Sequence, residues 1–170
     1  LVYVGDAGST QPGRPSQRTG VEWSNHWTPT RKFLMDMNLA WTTPRYSDAD
    51  PVGNHIPNAV EEVANIAFAM RNMGTWSASL GIRYIGASPL TEDASVKSKT
   101  SLTSNLRISR KVSQDTDVTL DVLNLTDRKN NDISYYYASR LPGEPVTGVS
   151  DVHVHPSEPR TLRLTTRVRF

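Results

Sequence analysis

Asp151, His153 and His155 stand at i, i+2 and i+4, with Glu158 close behind. On an extended backbone that spacing puts all three side chains on one face, because successive residues of a strand point to opposite sides. Imidazoles beside a carboxylate form a donor set suited to zinc or copper. Histidines of a polar loop strand more often hydrogen-bond to neighbouring loops, and that reading is preferred, so no metal is expected. Tyr135 and Tyr137 also alternate. They either stack on an aromatic or sugar ligand or pack the loop against the scaffold beneath it, and packing is preferred. Arg45, His55 and Arg140 fall in polar segments. There, charge either holds an anionic chelate or simply stays solvated.

Catalysis finds little support. The chain has no Gly-x-Ser-x-Gly, no phosphate-binding loop and no His-Glu-x-x-His, and Ser, His and Asp without a defined geometry are not a triad. No enzyme activity and no cofactor are expected. Zero cysteines exclude a disulfide framework and any thiolate metal site. A formal net charge of +2, spread along the chain, gives no basic patch for nucleic acid.

The elements that must carry these residues read as strands. In the final segment, Leu162, Leu164, Val168 and Phe170 share one face with Thr166, while Thr161, Arg163, Thr165, Arg167 and Arg169 share the other. One face is apolar and one wet and cationic, which suits a strand between lipid and a watery lumen. The chain is 36% hydrophobic with a mean hydropathy of −0.49. No run approaches the ~18 apolar residues of a transmembrane helix. A helical membrane protein is excluded, but a membrane barrel is not, because only alternate strand residues need be apolar.

Period two recurs along the chain. Leu1 to Val4 is an apolar alternating start, and Gly5 to Ser16 a turn-rich stretch. From Arg18 to Trp27, Val21, Trp23 and Trp27 share a face. Phe33, Met35, Met37, Leu39 and Trp41 oppose Asp36 and Asn38, two groups costly against lipid. Strands follow near Val60 to Met70, from Trp76 to Tyr84 with Arg83 on the polar side, from Leu102 to Ile108 with Arg107 opposite, and from Val118 to Val122 opposed by Asp121. Connections near 28–31, 71–74 and 113–116 are short. Those after Val4, Thr42, Ala87 and Leu125 are long, the last a loop from about Asn124 to Pro159. Short turns at one end and long loops at the other are a signature of antiparallel outer-membrane barrels, and Trp23, Trp27, Trp41, Trp76 and Tyr84 suit interfacial girdles.

The runs Asn124-Leu-Thr-Asp-Arg128, Asn131-Asp-Ile-Ser-Tyr-Tyr-Tyr-Ala-Ser-Arg-Leu-Pro-Gly-Glu-Pro145 and His153-Val-His-Pro-Ser-Glu-Pro-Arg160, with the terminal Phe170, resemble the C-terminal end of TonB-dependent outer-membrane receptors. Gly5-Asp-Ala-Gly and Arg18-Thr-Gly-Val-Glu22 resemble an earlier loop and strand start of the same barrels. The resemblance implies a barrel of about 22 strands around a plug, importing a scarce ligand such as an iron chelate, cobalamin or a sugar with energy delivered through TonB.

The fold expected is therefore all-β, an antiparallel transmembrane β-barrel segment of about seven to eight strands. Residues 1–170 would be the C-terminal portion of a larger plugged barrel, with the plug, the TonB-contacting region and the first barrel strands N-terminal to Leu1. Expected partners are outer-membrane lipid, the plug and remaining barrel, TonB, the barrel-assembly machinery reading Phe170, and an iron chelate or other small nutrient. Asp36, Asn38, Arg83, Arg107, Asp121, Arg163, Arg167 and Arg169 would face the lumen and plug, with Arg163, Arg167 and Arg169 pairing with Asp36, Asp121 or plug groups. Arg45, His55, Tyr135, Tyr137, Arg140, His153 and His155 are the ligand-binding loop candidates. The alternative is an autonomous small outer-membrane barrel with a structural or adhesive role. A soluble β-sandwich would require apolar faces to meet each other.

Overall fold

The alternation of the sequence becomes a single antiparallel sheet with chemically distinct faces. The computed structural model describes residues 2–4, 9–11 and 13–170. Its strands are β1 (Val2–Val4), β2 (Ser9–Gln11), β3 (Ser16–Thr30), β4 (Phe33–Tyr46), β5 (Glu62–Met73), β6 (Trp76–Ile85), β7 (Ser101–Lys111), β8 (Thr116–Leu123), β9 (Asn131–Ser139), β10 (Val149–Pro156) and β11 (Thr161–Val168). The 7-stranded sheet runs β11-β8-β7-β6-β5-β4-β3. Strands β3 to β8 form an up-and-down meander, and β11 returns to pair antiparallel with β8. The sheet is open, with β3 and β11 at its two edges.

Register keeps the faces separate across every strand. Trp27 lies opposite Met35, then come Phe68, Leu80, Leu106, Val122 and Leu162 in one transverse row. A neighbouring row runs Phe33, Met70, Ala78, Ile108, Leu120, Leu164. The reverse face carries Ser24, Asn38, Asn65, Arg83 and Thr103 in one row, and Ser79, Arg107, Asp121 and Arg163 in another. A slip of one residue in any pairing would mix the faces, so the apolar pattern itself specifies the register.

Among the described residues, nothing covers the apolar face. The only buried hydrophobic residues among those described are Ala59 and Leu90, both in connections, whereas Trp41, Leu162 and Leu164 are 63%, 68% and 71% exposed. Burying one such side chain is worth about 1.5–3 kcal/mol, so a continuous band of them requires a non-aqueous neighbour. Among the described residues no second apolar face meets this one, as the sandwich alternative would require.

Aromatic residues mark two margins of the band. Trp23 and Tyr84 share the row of Leu39 and Ala64, with Trp41 one row further out, towards the long connections. Trp76 lies at the opposite end, where the Arg110 guanidinium sits over its ring at 5.0 Å. At ~3.4 Å per residue the run from Trp76 to Tyr84 is roughly 27 Å of strand. A tilt of ~40° shortens this to about 20 Å, near the ~25 Å apolar band of membrane barrels.

The turns carry their own chemistry. At the β3–β4 turn the Thr30 hydroxyl accepts the Lys32 and Phe33 amides at 3.3 and 3.2 Å. Asn72 and Gly74 reverse β5 into β6 with φ of 53° and 66°, a left-handed region these residue types tolerate. All three short turns share one end of the sheet, and the connections 47–61, 86–100 and 124–160 share the other.

Three expectations need correction. The long connection after β8 is not an irregular loop: β9 and β10 form their own two-stranded sheet within it. Val2–Val4, within the apolar alternating start, pairs with Ser9–Gln11 in a separate two-stranded sheet and is not part of the 7-stranded one. Strand β4 continues past Thr42 to Tyr46 because β3 keeps pairing with it as far back as Ser16. Leu1 and Gly5-Asp-Ala-Gly fall outside the described residues.

Candidate functional site

The polar face and the long-connection end hold the groups able to bind. On the polar face, Asp121 is only 7% exposed and receives Arg107 through two hydrogen bonds, Nε to Oδ1 at 2.6 Å and Nη2 to Oδ2 at 3.3 Å. Arg163 stands directly opposite Asp121 in the β8–β11 register, so one carboxylate lies between two guanidinium groups. Arg167 follows opposite Asp117, and Arg169 approaches the same carboxylate at 3.5 Å. Asp36 pairs with His26, its neighbour across β3 and β4, rather than with an arginine. Asn38 and Arg83 occupy the row beside it. All eight residues assigned to the lumen therefore project from one side of the sheet or its β11 extension.

The loop candidates separate into pinned and free groups. Arg45 lies on β4, not in a loop, and its guanidinium is taken by Glu61 and the Pro44 carbonyl. His55 bridges back to Arg45 and donates its amide to the Glu92 carbonyl at 2.9 Å. Arg140, in contrast, is exposed beside the β9–β10 turn, where its Nε donates to the Glu144 carbonyl at 3.2 Å.

Strands β9 and β10 bring the remaining candidates together. Tyr137, Tyr135 and Ile133 lie opposite Asp151, His153 and His155, which share one face of the hairpin. The His153 ring stacks on Tyr137 with centroids 3.9 Å apart. Its Nε2 is enclosed without a hydrogen-bond partner among the described residues. His155 Nδ1 lies 3.7 Å from Asp132. No three metal-ligating side chains converge among the described residues, and the face presents the stacked rings of Tyr137 and His153.

Two groups of residues were not singled out from the sequence. Arg14 binds Asp48 through Nε and Nη2, reaches Glu92 through Nη1 and lies over the Tyr46 ring at 4.3 Å. The two carboxylates stand 34 and 78 positions away in sequence, so no local pattern announces the clasp. Hydrogen bonding with Arg14 holds Asp48 below the usual carboxylate range, and the same contact raises Arg14. In the adjoining loop, Asp93 is lowered to about 2 by the Thr91 hydroxyl and by the amide and hydroxyl of Ser95.

The second group ties the long connection to the wall. Asn124 is 4% exposed with φ 47°. Its Nδ2 donates to the carbonyls of Arg128 and Glu158 at 3.0 and 3.2 Å, joining both stems of the connection. The Asn130 side chain accepts the Leu102 amide and donates to the Leu102 carbonyl, imitating a strand pairing. The clamp is built from the Asn124-to-Arg128 run, whose Asn124 also accepts the Arg128 amide through its Oδ1.

No protein-family model and no curated protein matches the chain. Solved structures do. The ferric yersiniabactin uptake receptor FyuA from Yersinia pestis superposes with a TM-score of 0.74 at 20% identity, over 91% of this chain and 24% of that one. The closed form of the ferric-catecholate import receptor Fiu from Escherichia coli K12 gives 0.72 at 20% identity, over 91% and 21%. The siderophore receptor PiuA from Acinetobacter baumannii gives 0.68 at 12% identity, over 89% and 21%. The likeness establishes the fold as that of a section of these receptors' β-barrels. The chain spans less than a quarter of their length, 21–24% in these three.

Proposed function

We propose that this chain is part of the barrel wall and outer loops of a TonB-dependent active transporter in the bacterial outer membrane. Its cargo is a scarce ligand, an iron-siderophore complex or a similar nutrient. The observation that carries the reading is the single sheet with an uncovered apolar band and all long connections at one end, in an arrangement matched over 91% of the chain by a ferric-siderophore uptake receptor. The apolar face meets lipid, and the polar face lines a lumen. The open edges at β3 and β11 favour a larger barrel over an autonomous small one, because unpaired strand edges are not tolerated in lipid.

In this reading the parent polypeptide supplies the remaining strands, a plug and a segment reaching TonB. Arg107, Asp121, Arg163, Arg167 and Arg169, with Asp36, Asn38 and Arg83, face the plug. Their internal pairing leaves a net positive surface for its carboxylates. Phe170 serves the barrel-assembly machinery. Ligand is first met by the β9–β10 hairpin, through Tyr135, Tyr137, His153, His155 and Arg140, while Arg45 and His55 hold the rim rather than the cargo. The chemistry is capture and release, without a catalytic step.

The test is uptake. Deleting the parent gene abolishes energy-dependent import of radioactive iron from at least one member of a panel of ferric chelates, or of another scarce nutrient, and complementation restores it. Unchanged import across iron, copper, cobalamin and sugar substrates contradicts the reading.

A further inference from the structure

We propose that the polar face of β7, β8 and β11 seats an extended acidic segment of the parent polypeptide, with Asp or Glu at its positions i and i+4 and a hydrogen-bonding residue at i+2. The inference rests on the barrel-wall reading above and gives the partner of that wall a sequence pattern. Three transverse rows define the seat. Arg107, Asp121 and Arg163 form the first, Ser109, Thr119 and Thr165 the second, and Lys111, Asp117 and Arg167 the third. Ser77 extends the hydroxyl row onto β6. A hollow of about 480 Å³ opens over the rows, with Arg107, Thr119, Lys111 and Arg167 among its walls.

Each charged row holds one carboxylate between two cations, and the carboxylates are already engaged. Asp121 is taken by Arg107 at 2.6 Å and Asp117 by Arg169 at 3.5 Å. Arg163, Lys111 and Arg167 form no ion pair among the described residues. The unspent charge is therefore positive, and it stands on both sides of a row of hydroxyls. The Ser109 and Thr119 hydroxyls bond each other at 3.0 Å, which leaves one proton of the pair and further lone pairs for a partner. Asp117 and Asp121 set the charged rows four residues apart along β8, about 14 Å at ~3.4 Å per residue. An extended chain returns side chains to one face at every second residue, so acids at i and i+4 reach both rows while i+2 lies over the hydroxyls. A helix rises only about 6 Å over the same four residues. A lone phosphate, or one carboxylate of a cargo, engages a single row.

The experiment is hydrogen exchange, read by mass spectrometry, on the full parent protein in a lipid bilayer. Wild type is compared with the double variant Lys111→Glu, Arg167→Glu. In the wild type, a stretch outside this chain that carries the acidic pattern is protected. The double variant speeds exchange in that stretch about tenfold, the scale of one hydrogen bond to a charged group, while β7 and β8 keep their protection. Replacing the facing acid of the segment with Lys restores protection in the variant. The neutral pair Lys111→Gln, Arg167→Gln shifts exchange in the same direction by less, and it decides the matter if the reversed pair does not fold. Unchanged exchange outside this chain in the variants, or a protected stretch without acids at i and i+4, overturns the seat and leaves the barrel-wall reading standing. A parent with no further segment inside the lumen overturns both.

Discussion

At the scale of single residues, the long-connection end is organised by polar side chains acting over long sequence separations. Arg14 joins Asp48 and Glu92, and Asp93 braces its own turn through Thr91 and Ser95. Asp48 and Asp93 both titrate below their unfolded values. A depressed carboxylate contributes stability that is present above its unfolded pKa, 3.8 for Asp93, and is lost as pH falls through the folded value of about 2. Connections 47–61 and 86–100 therefore stay resistant to pepsin at pH 4 and become cleavable as pH approaches 2. Arg14→Ala exposes the same connections at neutral pH, with proteinase K as the readout. Resistance in that variant would mean that the clasp does not hold the rim. Asn124→Ala leaves the Arg128 and Glu158 carbonyls without their amide donor, at a cost of about 1–3 kcal/mol. Faster hydrogen exchange in the stems near 125–130 and 157–160 is the expected signature.

At the scale of elements, each strand is a two-sided object and should respond to mutation accordingly. Val122→Arg, in mid-band on the apolar face, costs about 2–4 kcal/mol of stability in lipid vesicles, whereas lumen-side substitutions such as Thr119→Arg are tolerated far better. Equal costs would show that β8 is not held between lipid and water. Elements were legible where this two-sidedness was strong. Phe33 to Trp41 and Trp76 to Tyr84 alternate cleanly, and their strands begin where the pattern begins. The β9–β10 hairpin was hidden because Tyr135-Tyr-Tyr137 breaks polarity alternation. Tyr136 and Val152 face one way and Tyr135 and Tyr137 the other, so neither side is clearly apolar. The ends of β3 were hidden for a related reason: Ser16, Gln17 and Thr30 are polar, and only pairing with β4 makes them strand. Of the candidate site, face membership was readable from parity alone. The partners of Arg45, His55 and Arg14 were not, because they come from remote parts of the chain.

At the scale of the molecule, the account rests on one physical claim: a sheet without a core is stable because lipid covers one face and a watery lumen, filled in part by other segments of the parent, meets the other. In the proposed function, the aromatic margins at Trp23, Trp41 and Tyr84 and at Trp76 set how deeply the sheet sits. The charged residues beside them, Glu62 and Arg110, end the band rather than interrupt it. The chain has no native cysteine, so single cysteines can report position by position. The most direct measurement is the accessibility of spin labels placed in turn from Trp76 to Arg83 of the parent protein in a lipid bilayer. Labels at Trp76, Ala78, Leu80 and Ile82 should collide with oxygen dissolved in lipid. Those at Ser77, Ser79, Gly81 and Arg83 should be shielded from it and report a polar, plug-side environment. Loss of that period-two alternation, or oxygen access on both faces alike, would contradict the account.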